Sequence, residues 1–252
     1  MSLSFDLTGR RALVTGANAG IGRAIARALA NAGAEVLCAG RSAMDDTVTE
    51  IAADGGQAHA VRMDLAAGDG AAVAFESARA THGGVDVLVN NAGIIRRAAA
   101  LDFTHQDWDE VMNVNLRSAF FLTQAFARPL IAAGRSGAVI NIASLLSFQG
   151  GIRIASYTAS KSGIAGLTRL LACEWAGRGI RTNAIAPGYI ATANTAPLRA
   201  DPERSRAILE RIPAGRWGEP DDIAGAAVFL ASPAAAYVNG AVIPVDGGWL
   251  AR

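Results

Sequence analysis

The sequence predicts an α/β fold: a single doubly wound domain over residues 1–252, with a seven-stranded parallel sheet flanked by helices. Three observations carry that expectation. Short, continuously apolar runs alternate with helical stretches from end to end, as parallel strands buried on both faces require. A glycine-rich turn joins the first apolar run to the first helical stretch. The chain has 252 residues, 51% of them hydrophobic, and no repeat, low-complexity tract or linker divides it, so it buries a core of single-domain size.

The elements follow in order. Arg11 to Thr15 reads as a buried strand, and Arg23 to Ala32 as the helix after the glycine turn. Glu35 to Ala39 is the second strand, Thr47 to Ala53 a helix, and Ala58 to Met63 the third strand. Ala71 to Thr81 is helical, and Val85 to Val89 is the fourth strand. Trp108 to Ala133 keeps an apolar helical period throughout and is expected as one long helix. Ala138 to Ile142 is the fifth strand, Tyr157 to Arg178 a long helix, and Arg181 to Ile185 the sixth strand. Pro202 to Arg211 and Asp221 to Leu230 are helical, and Ala241 to Val245 closes the sheet. The least regular segment, 188–220, is rich in Gly, Pro, Asn and Thr and lies beyond a strand end, where a substrate lid is expected.

Composition narrows the function. A net charge of +1 gives no electrostatic case for nucleic acid or an anionic membrane. No run approaches the roughly 18 apolar residues of a membrane span, and the N-terminus shows no signal peptide, so a cytoplasmic enzyme is expected. Cys38 and Cys173 lack metal-ligand spacing and read as buried free thiols. His59, His82 and His105 share no metal spacing and read as surface residues, so no metal site is expected.

Chemistry enters with two constellations. The first is Thr15-Gly16-Ala17-Asn18-Ala19-Gly20-Ile21-Gly22, between a strand and a helix. Glycines let the backbone approach a pyrophosphate, and the helix N-terminus offers free N–H groups and a positive dipole end. Strand, glycine turn and helix in this order make the domain Rossmann-type, with dinucleotide binding as its expected task. The end of the second strand normally reads the adenosine ribose. It carries Ala39-Gly40-Arg41-Ser42, with no carboxylate before Asp45, which admits NADP as well as NAD. Arg41 is equally readable as a solvated residue beside adenine.

The second constellation is Ser144 followed by Tyr157-Thr158-Ala159-Ser160-Lys161. Residues four apart share one helix face, so Tyr157 and Lys161 are within reach of each other. A tyrosine hydroxyl titrates near about 10 and is a poor base at neutral pH. A neighbouring cation favours the phenolate, and a nearby hydroxyl holds the substrate oxygen that gains or loses the proton. Such a set suits proton transfer on an alcohol or carbonyl. Taken alone, the same spacing also describes a solvated helix face.

Together these residues resemble the short-chain dehydrogenase/reductase family. The glycine loop matches its cofactor loop through Gly16, Asn18, Ala19, Gly20, Ile21 and Gly22. Asp64-Leu65 matches its adenine-contacting pair, and Asn90-Asn91-Ala92-Gly93 its NNAG motif. Asn115, Ser144, Tyr157 and Lys161 match its catalytic tetrad. Pro187-Gly188, with Ile190 and Thr192 behind it, matches the segment that touches the nicotinamide carboxamide. The resemblance implies that Tyr157 is the general acid/base, that Lys161 lowers its pKa and holds the nicotinamide ribose, and that Ser144 binds the substrate oxygen. Asn115 is implied to keep a water-linked proton path beside Lys161, or to brace a helix through backbone hydrogen bonds. The C-terminal half, with 140–163 and 237–252 foremost, is similar to the branch that acts on deoxy sugar acids such as 2-deoxy-D-gluconate or 2-dehydro-3-deoxy-D-gluconate. That branch implies NAD as the more usual cofactor, and the C-terminal segment implies a homotetramer.

A sugar acid needs a cationic anchor, and a guanidinium binds both carboxylate oxygens. Arg96, Arg97 and Arg153 are the candidates, with Arg153 best placed because its loop runs from Ser144 to Tyr157. Gln149 in the same loop is a candidate for a hydroxyl. Three other functions stay open: a gluconate or polyol dehydrogenase, a 3-oxoacyl reductase on the same fold, and a cofactor-sensing protein without catalysis.

Overall fold

The computed structural model describes residues 4–68 and 70–252. Seven strands form one sheet in the order β3-β2-β1-β4-β5-β6-β7. They are β1 (Arg11–Thr15), β2 (Glu35–Gly40), β3 (Gln57–Arg62), β4 (Val87–Asn90), β5 (Gly137–Ile142), β6 (Ile180–Pro187) and β7 (Val242–Val245). Every neighbouring pair is parallel. From β1 the chain builds outward to β3, then crosses back and builds the other way from β4. The carboxyl ends of β1 and β4 therefore flank the point where strand order reverses, and loops leaving them diverge into a crevice.

Among the described residues there are nine α-helices: α1 (Gly20–Asn31), α2 (Asp45–Ala53), α3 (Gly70–His82), α4 (His105–Met112), α5 (Ser118–Ala132), α6 (Ala155–Trp175), α7 (Ala196–Ala200), α8 (Pro202–Leu209) and α9 (Asp221–Ala231). The apolar strands have a simple cause: both faces are buried. In β1, Ala12 and Val14 point into a core with Ile25 and Leu29 of α1 and Leu230 of α9. Leu13 points the other way, toward Phe75 of α3 and Phe126 of α5. In β2, Val36 and Cys38 join the first core, Leu37 and Ala39 the second. Burial in the first core pushes the Cys38 thiol up to about 12, which makes it inert.

Buried polar side chains knit the strand ends to the helices. Asn90 Nδ2 donates to Thr123 Oγ1 and to Asn141 Oδ1, both at 2.8 Å. Asn141 Nδ2 donates to Thr168 Oγ1 at 2.9 Å. Thr123 and Thr168 each donate back to a carbonyl of their own helix. The chain thereby registers β4, β5, α5 and α6 through partners that an apolar core cannot supply.

Three departures from the sequence expectation stand out. The stretch from Trp108 to Ala133 is not one helix: a π-turn at Asn113–Arg117 separates α4 from α5. The extra residue in that turn leaves the apolar period nearly unchanged, so periodicity does not reveal it. Cys173 is exposed rather than buried. His59 and His82, far apart in sequence, meet with ring centroids 4.6 Å apart. Among the described residues, no helix is long and apolar enough to cross a membrane.

The first βα turn leaves no room for a side chain at its third glycine. A Cβ on Gly22 would collide with the Gly16 carbonyl oxygen and with Asn91 Nδ2. Gly22→Ala should lower Tm by roughly 4–10 °C, the usual cost of overpacking in a domain of this size. Gly166, on the open face of α6 with nothing within 4 Å of its Cβ position, is the control. Gly166→Ala should hold or raise Tm, because it removes backbone freedom from a helix interior. Equal thermal shifts in the two variants would contradict the close packing at Gly22.

Candidate active site

Every residue expected to bind cofactor lines one cleft of about 680 Å³ at the carboxyl ends of the strands. Its floor is the glycine loop, where Gly16 and Gly20 take positive φ of 66° and 54°. The loop is tied down from two sides. Asn91 Nδ2 donates to the Thr15 carbonyl at 2.8 Å, and the amides of Asn91 and Ala92 donate to Thr15 Oγ1 at 3.0 Å each. Thr47 Oγ1 donates to the Ala17 carbonyl at 2.8 Å. Ala19 caps α1 in an extended conformation and offers no side-chain acceptor to the first turn. Those N–H groups border the cleft with the positive end of the dipole behind them, so the chemistry of the site fits a pyrophosphate.

Past the end of β2, Gly40, Arg41 and Ser42 line the cleft, with Asp64 and Leu65 across from them. Met63 N donates to the Gly40 carbonyl at 2.9 Å and fixes the two strand ends together. No carboxylate stands at the end of β2, and Arg41 is the charged group there. At the opposite wall, Pro187, Gly188, Ile190 and Thr192 follow β6. Gly188 is required by close approach, since a Cβ there would lie 2.6 Å from Asp246 Cα.

The tetrad residues converge where β5 and α6 meet. Ser144 stands two residues past β5, where its Oγ accepts from Leu146 N at 3.2 Å and its hydroxyl acts on that of Tyr157. Tyr157 and Lys161 stand one turn apart on α6, with Lys161 Nζ 5.6 Å from the Tyr157 ring centroid. Lys161 is buried, and its Nζ donates to the Ile142 carbonyl at 2.6 Å. Asn115 sits inside the π-turn. Its Oδ1 accepts from Ile94 N at 2.8 Å, and its Nδ2 donates to the Ile94 carbonyl at 2.9 Å and to Ser160 Oγ at 3.3 Å. That side chain braces the segment after Asn91-Ala92-Gly93 against α6.

Electrostatics depart from the expected pattern. Burial raises the Tyr157 pKa above its ordinary value, opposed by the Ser144 hydrogen bond and the positive field of Arg97. The lowering influences include the Ser144 hydroxyl and the Arg97 guanidinium, while the Lys161 ammonium is held by the Ile142 carbonyl. Burial also pushes the Lys161 pKa down to about 8.

The proposed substrate residues separate. Arg96 lines the cleft, but its guanidinium pairs with Glu110 at 2.7 Å and Asp107 at 3.4 Å. Gln149 Oε1 accepts from Trp249 Nε1 at 3.1 Å, which spends the side chain on the C-terminal segment. Arg153 is exposed, lies outside the cleft lining and holds a positive φ of 63°. Arg97 is likewise exposed and outside the cleft lining, but its positive field reaches Tyr157 and its Nη2 donates to the carbonyl of Asn194, a lining residue, at 2.8 Å. Asn194, Thr195 and Glu110 also line the cleft without having been singled out in the sequence. Their residue types are ordinary for a loop and a helix face, so no local signal marks them.

A family model described as enoyl-(acyl carrier protein) reductase matches residues 16–250. The chain belongs to the short-chain dehydrogenase/reductase family. It is 53% identical over 249 residues to 2-dehydro-3-deoxy-D-gluconate 5-dehydrogenase of Escherichia coli (strain K12), covering 99% of this chain and 98% of that one. The enzyme of the same name from Bacillus subtilis (strain 168) is 52% identical over 254 residues, covering 99% and 98%. A crystal structure from Agrobacterium tumefaciens, provisionally assigned as a 2-deoxy-D-gluconate 3-dehydrogenase with bound NADP, superposes with a TM-score of 0.95 at 64% identity over 100% of both chains. A gluconate 5-dehydrogenase from Burkholderia cenocepacia J2315 in complex with NADP and tartrate gives 0.94 at 40% identity, covering 99% and 98%.

The buried lysine has a measurable consequence. Its folded pKa of about 8 lies below the ordinary 10.5, so between those values the unfolded chain binds more protons and stability contributed here rises with pH. Below about pH 8 the buried charge costs on the order of 3 kcal/mol. Lys161→Met removes that cost, so its stability relative to wild type should be greatest at pH 7 and decline toward pH 10.5 in denaturant titrations. A difference that does not change with pH would show that the ammonium is not desolvated.

Proposed function

We propose that this protein is an NAD(P)-dependent dehydrogenase that interconverts a secondary alcohol and a ketone of a (deoxy)sugar acid, such as 2-deoxy-D-gluconate or 2-dehydro-3-deoxy-D-gluconate. One observation carries the reading: Ser144, Tyr157 and Lys161 open into the same cleft as the uncapped start of α1 and the glycine loop. The names of the relatives supply the substrate class.

Nicotinamide, when bound, supplies a carrier that accepts or releases hydride at the substrate carbon. Ser144 Oγ holds the substrate oxygen next to Tyr157. In the oxidising direction Tyr157 Oη takes the carbinol proton, and in the reducing direction it returns one to the oxygen. Ser144 and Arg97 both favour the phenolate that this exchange needs. Lys161 brings a proton-exchanging ammonium within one helical turn of the tyrosine and would hold the nicotinamide ribose. Asn115 keeps α6 and the loop after β4 in register, so that Tyr157 and the cleft wall do not drift apart.

The α1 N-terminus would hold the pyrophosphate, and Arg41 with Ser42 the ribose edge. A guanidinium in place of a carboxylate favours a 2′-phosphate, so NADP is the cofactor we assign in preference to NAD. For the substrate carboxylate we assign Arg97, whose positive field reaches Tyr157 and whose guanidinium donates to the carbonyl of Asn194 in the cleft lining. That bond also links the cleft wall to segment 188–220, which we read as the substrate lid. A homotetramer in the cytoplasm completes the reading. Exposed Leu101, Trp108, Phe121, Leu170 and Tyr237 support subunit contacts.

Tyr157→Phe should fold, bind NADPH and lose roughly 10²–10⁴-fold in kcat. Near-normal turnover would remove the tyrosine from the chemistry. Arg97→Ala should raise KM at least about 10-fold for sugar acids while sparing a neutral polyol, as expected for a charged hydrogen-bonded pair. Arg153→Ala should leave both values near wild type. The reverse pattern would move the carboxylate anchor to Arg153. Following the absorbance of reduced nicotinamide with NAD and NADP against 2-deoxygluconate, 2-dehydro-3-deoxygluconate, gluconate and a neutral polyol tests the assignment, and activity confined to the polyol would overturn it.

A further inference from the structure

At the far end of the sheet from the cleft, Glu35, His59 and His82 bring three metal-ligating atoms within 4.8 Å of one another. They come from three different elements: Glu35 opens β2, His59 lies in the edge strand β3, and His82 ends α3. His59 Nε2 is 3.1 Å from Glu35 Oε1, and the two imidazole rings lie 4.6 Å apart, tilted by 36°. The other oxygen of Glu35 is held by Arg11 at 2.5 Å, which leaves Oε1 as the inward-facing donor. Arg11 is in turn anchored to the Gly84 carbonyl at 3.1 Å.

We propose that Glu35, His59 and His82 form a zinc site that clamps the edge of the sheet. Two imidazoles and one carboxylate are a borderline-soft donor set, suited to Zn²⁺ and poorly suited to Mg²⁺ or Ca²⁺. Tetrahedral zinc places neighbouring ligand atoms roughly 3.3 Å apart. The Glu35–His59 pair already has that separation, and a side-chain rotation at His82, the last residue of α3, closes the rest. Half-exposed His59 leaves an entry path and room for a water as fourth ligand. The site lies roughly 17 Å from the cleft, counted along β2 from Glu35 to Gly40. Its role is mechanical. β3 has one neighbour strand and is largely solvent-facing, and a metal would fasten both it and α3 to β2. The segment so fastened carries Asp64 and Leu65 to the adenosine end of the cleft.

The test uses the full-length, tag-free protein after chelator treatment and dialysis. Zinc content at equilibrium with buffered Zn²⁺ should reach one ion per chain. At a hundredfold excess over Kd, Tm should rise by roughly 5–10 °C. Mg²⁺ should do neither. His59→Ala and His82→Ala should each lose the bound ion and the shift while keeping wild-type turnover, since neither touches the cleft. His105→Ala, which alters the third histidine at the start of α4, should keep both. Two results would overturn the site: no stoichiometric binding by the wild type, or equal binding and equal shift in the His59→Ala His82→Ala double variant.

Discussion

The cleft depends on the clasp between Thr15 and Asn91. β1 and β4 are neighbours in the sheet, and their chains must part company at its edge. Left alone, two diverging loops would each find their own conformation. The Asn91 side chain prevents this by taking the carbonyls of Thr15 and Gly16, while Thr15 Oγ1 receives two amides from the other loop. The glycine loop is thus shaped by its neighbour as much as by its own residues. Gly22 must be small because Asn91 Nδ2 and the Gly16 carbonyl already fill the space. With the loop fixed, the start of α1 points at one place, and the wall that bears Asn115 and α6 is built outward from the same strand.

The catalytic pair draws its character from burial more than from mutual attraction. Lys161 and Tyr157 are both raised in energy as ions by desolvation, in opposite senses. A lysine near neutrality in its proton affinity exchanges protons readily, and a tyrosine flanked by a hydroxyl and a guanidinium has partners for its phenolate. Lys161 Nζ stays 5.6 Å from the Tyr157 ring centroid, and the guanidinium of Arg97 adds a positive field that favours the phenolate.

Much of the fold was legible because β1, β2, β4, β5 and β6 are buried on both faces and say so in continuous apolar runs. The cofactor residues were legible for a related reason: glycines, prolines and asparagines at strand ends answer to backbone needs that leave few alternatives. The π-turn escaped because one inserted residue barely shifts an apolar period. The pairing of His59 with His82 escaped because it depends on β3 and α3 packing side by side, a contact with no sequence spacing. Arg153, expected as the carboxylate anchor, shows the same limit, being exposed and outside the cleft lining. Lying between Ser144 and Tyr157 in the chain does not place a side chain in the cleft, and the loop turns it outward with a left-handed backbone at that residue.

The division of labour between elements bears on how such a protein changes its diet. The residues proposed for proton transfer sit just past β5 and on α6, two elements held in register by Asn90, Asn141, Thr123 and Thr168. The substrate residues proposed above sit on the loop holding Arg97 and on the segment holding Asn194, while Gln149 is paired with Trp249. Neither Arg97 nor Asn194 belongs to a strand or to a buried core cluster. A lineage can therefore exchange one carbohydrate for another by altering a few peripheral turns, while the reaction centre is inherited intact. The single carbonyl–guanidinium bond from Asn194 to Arg97 is then a seam along which new specificities can be cut.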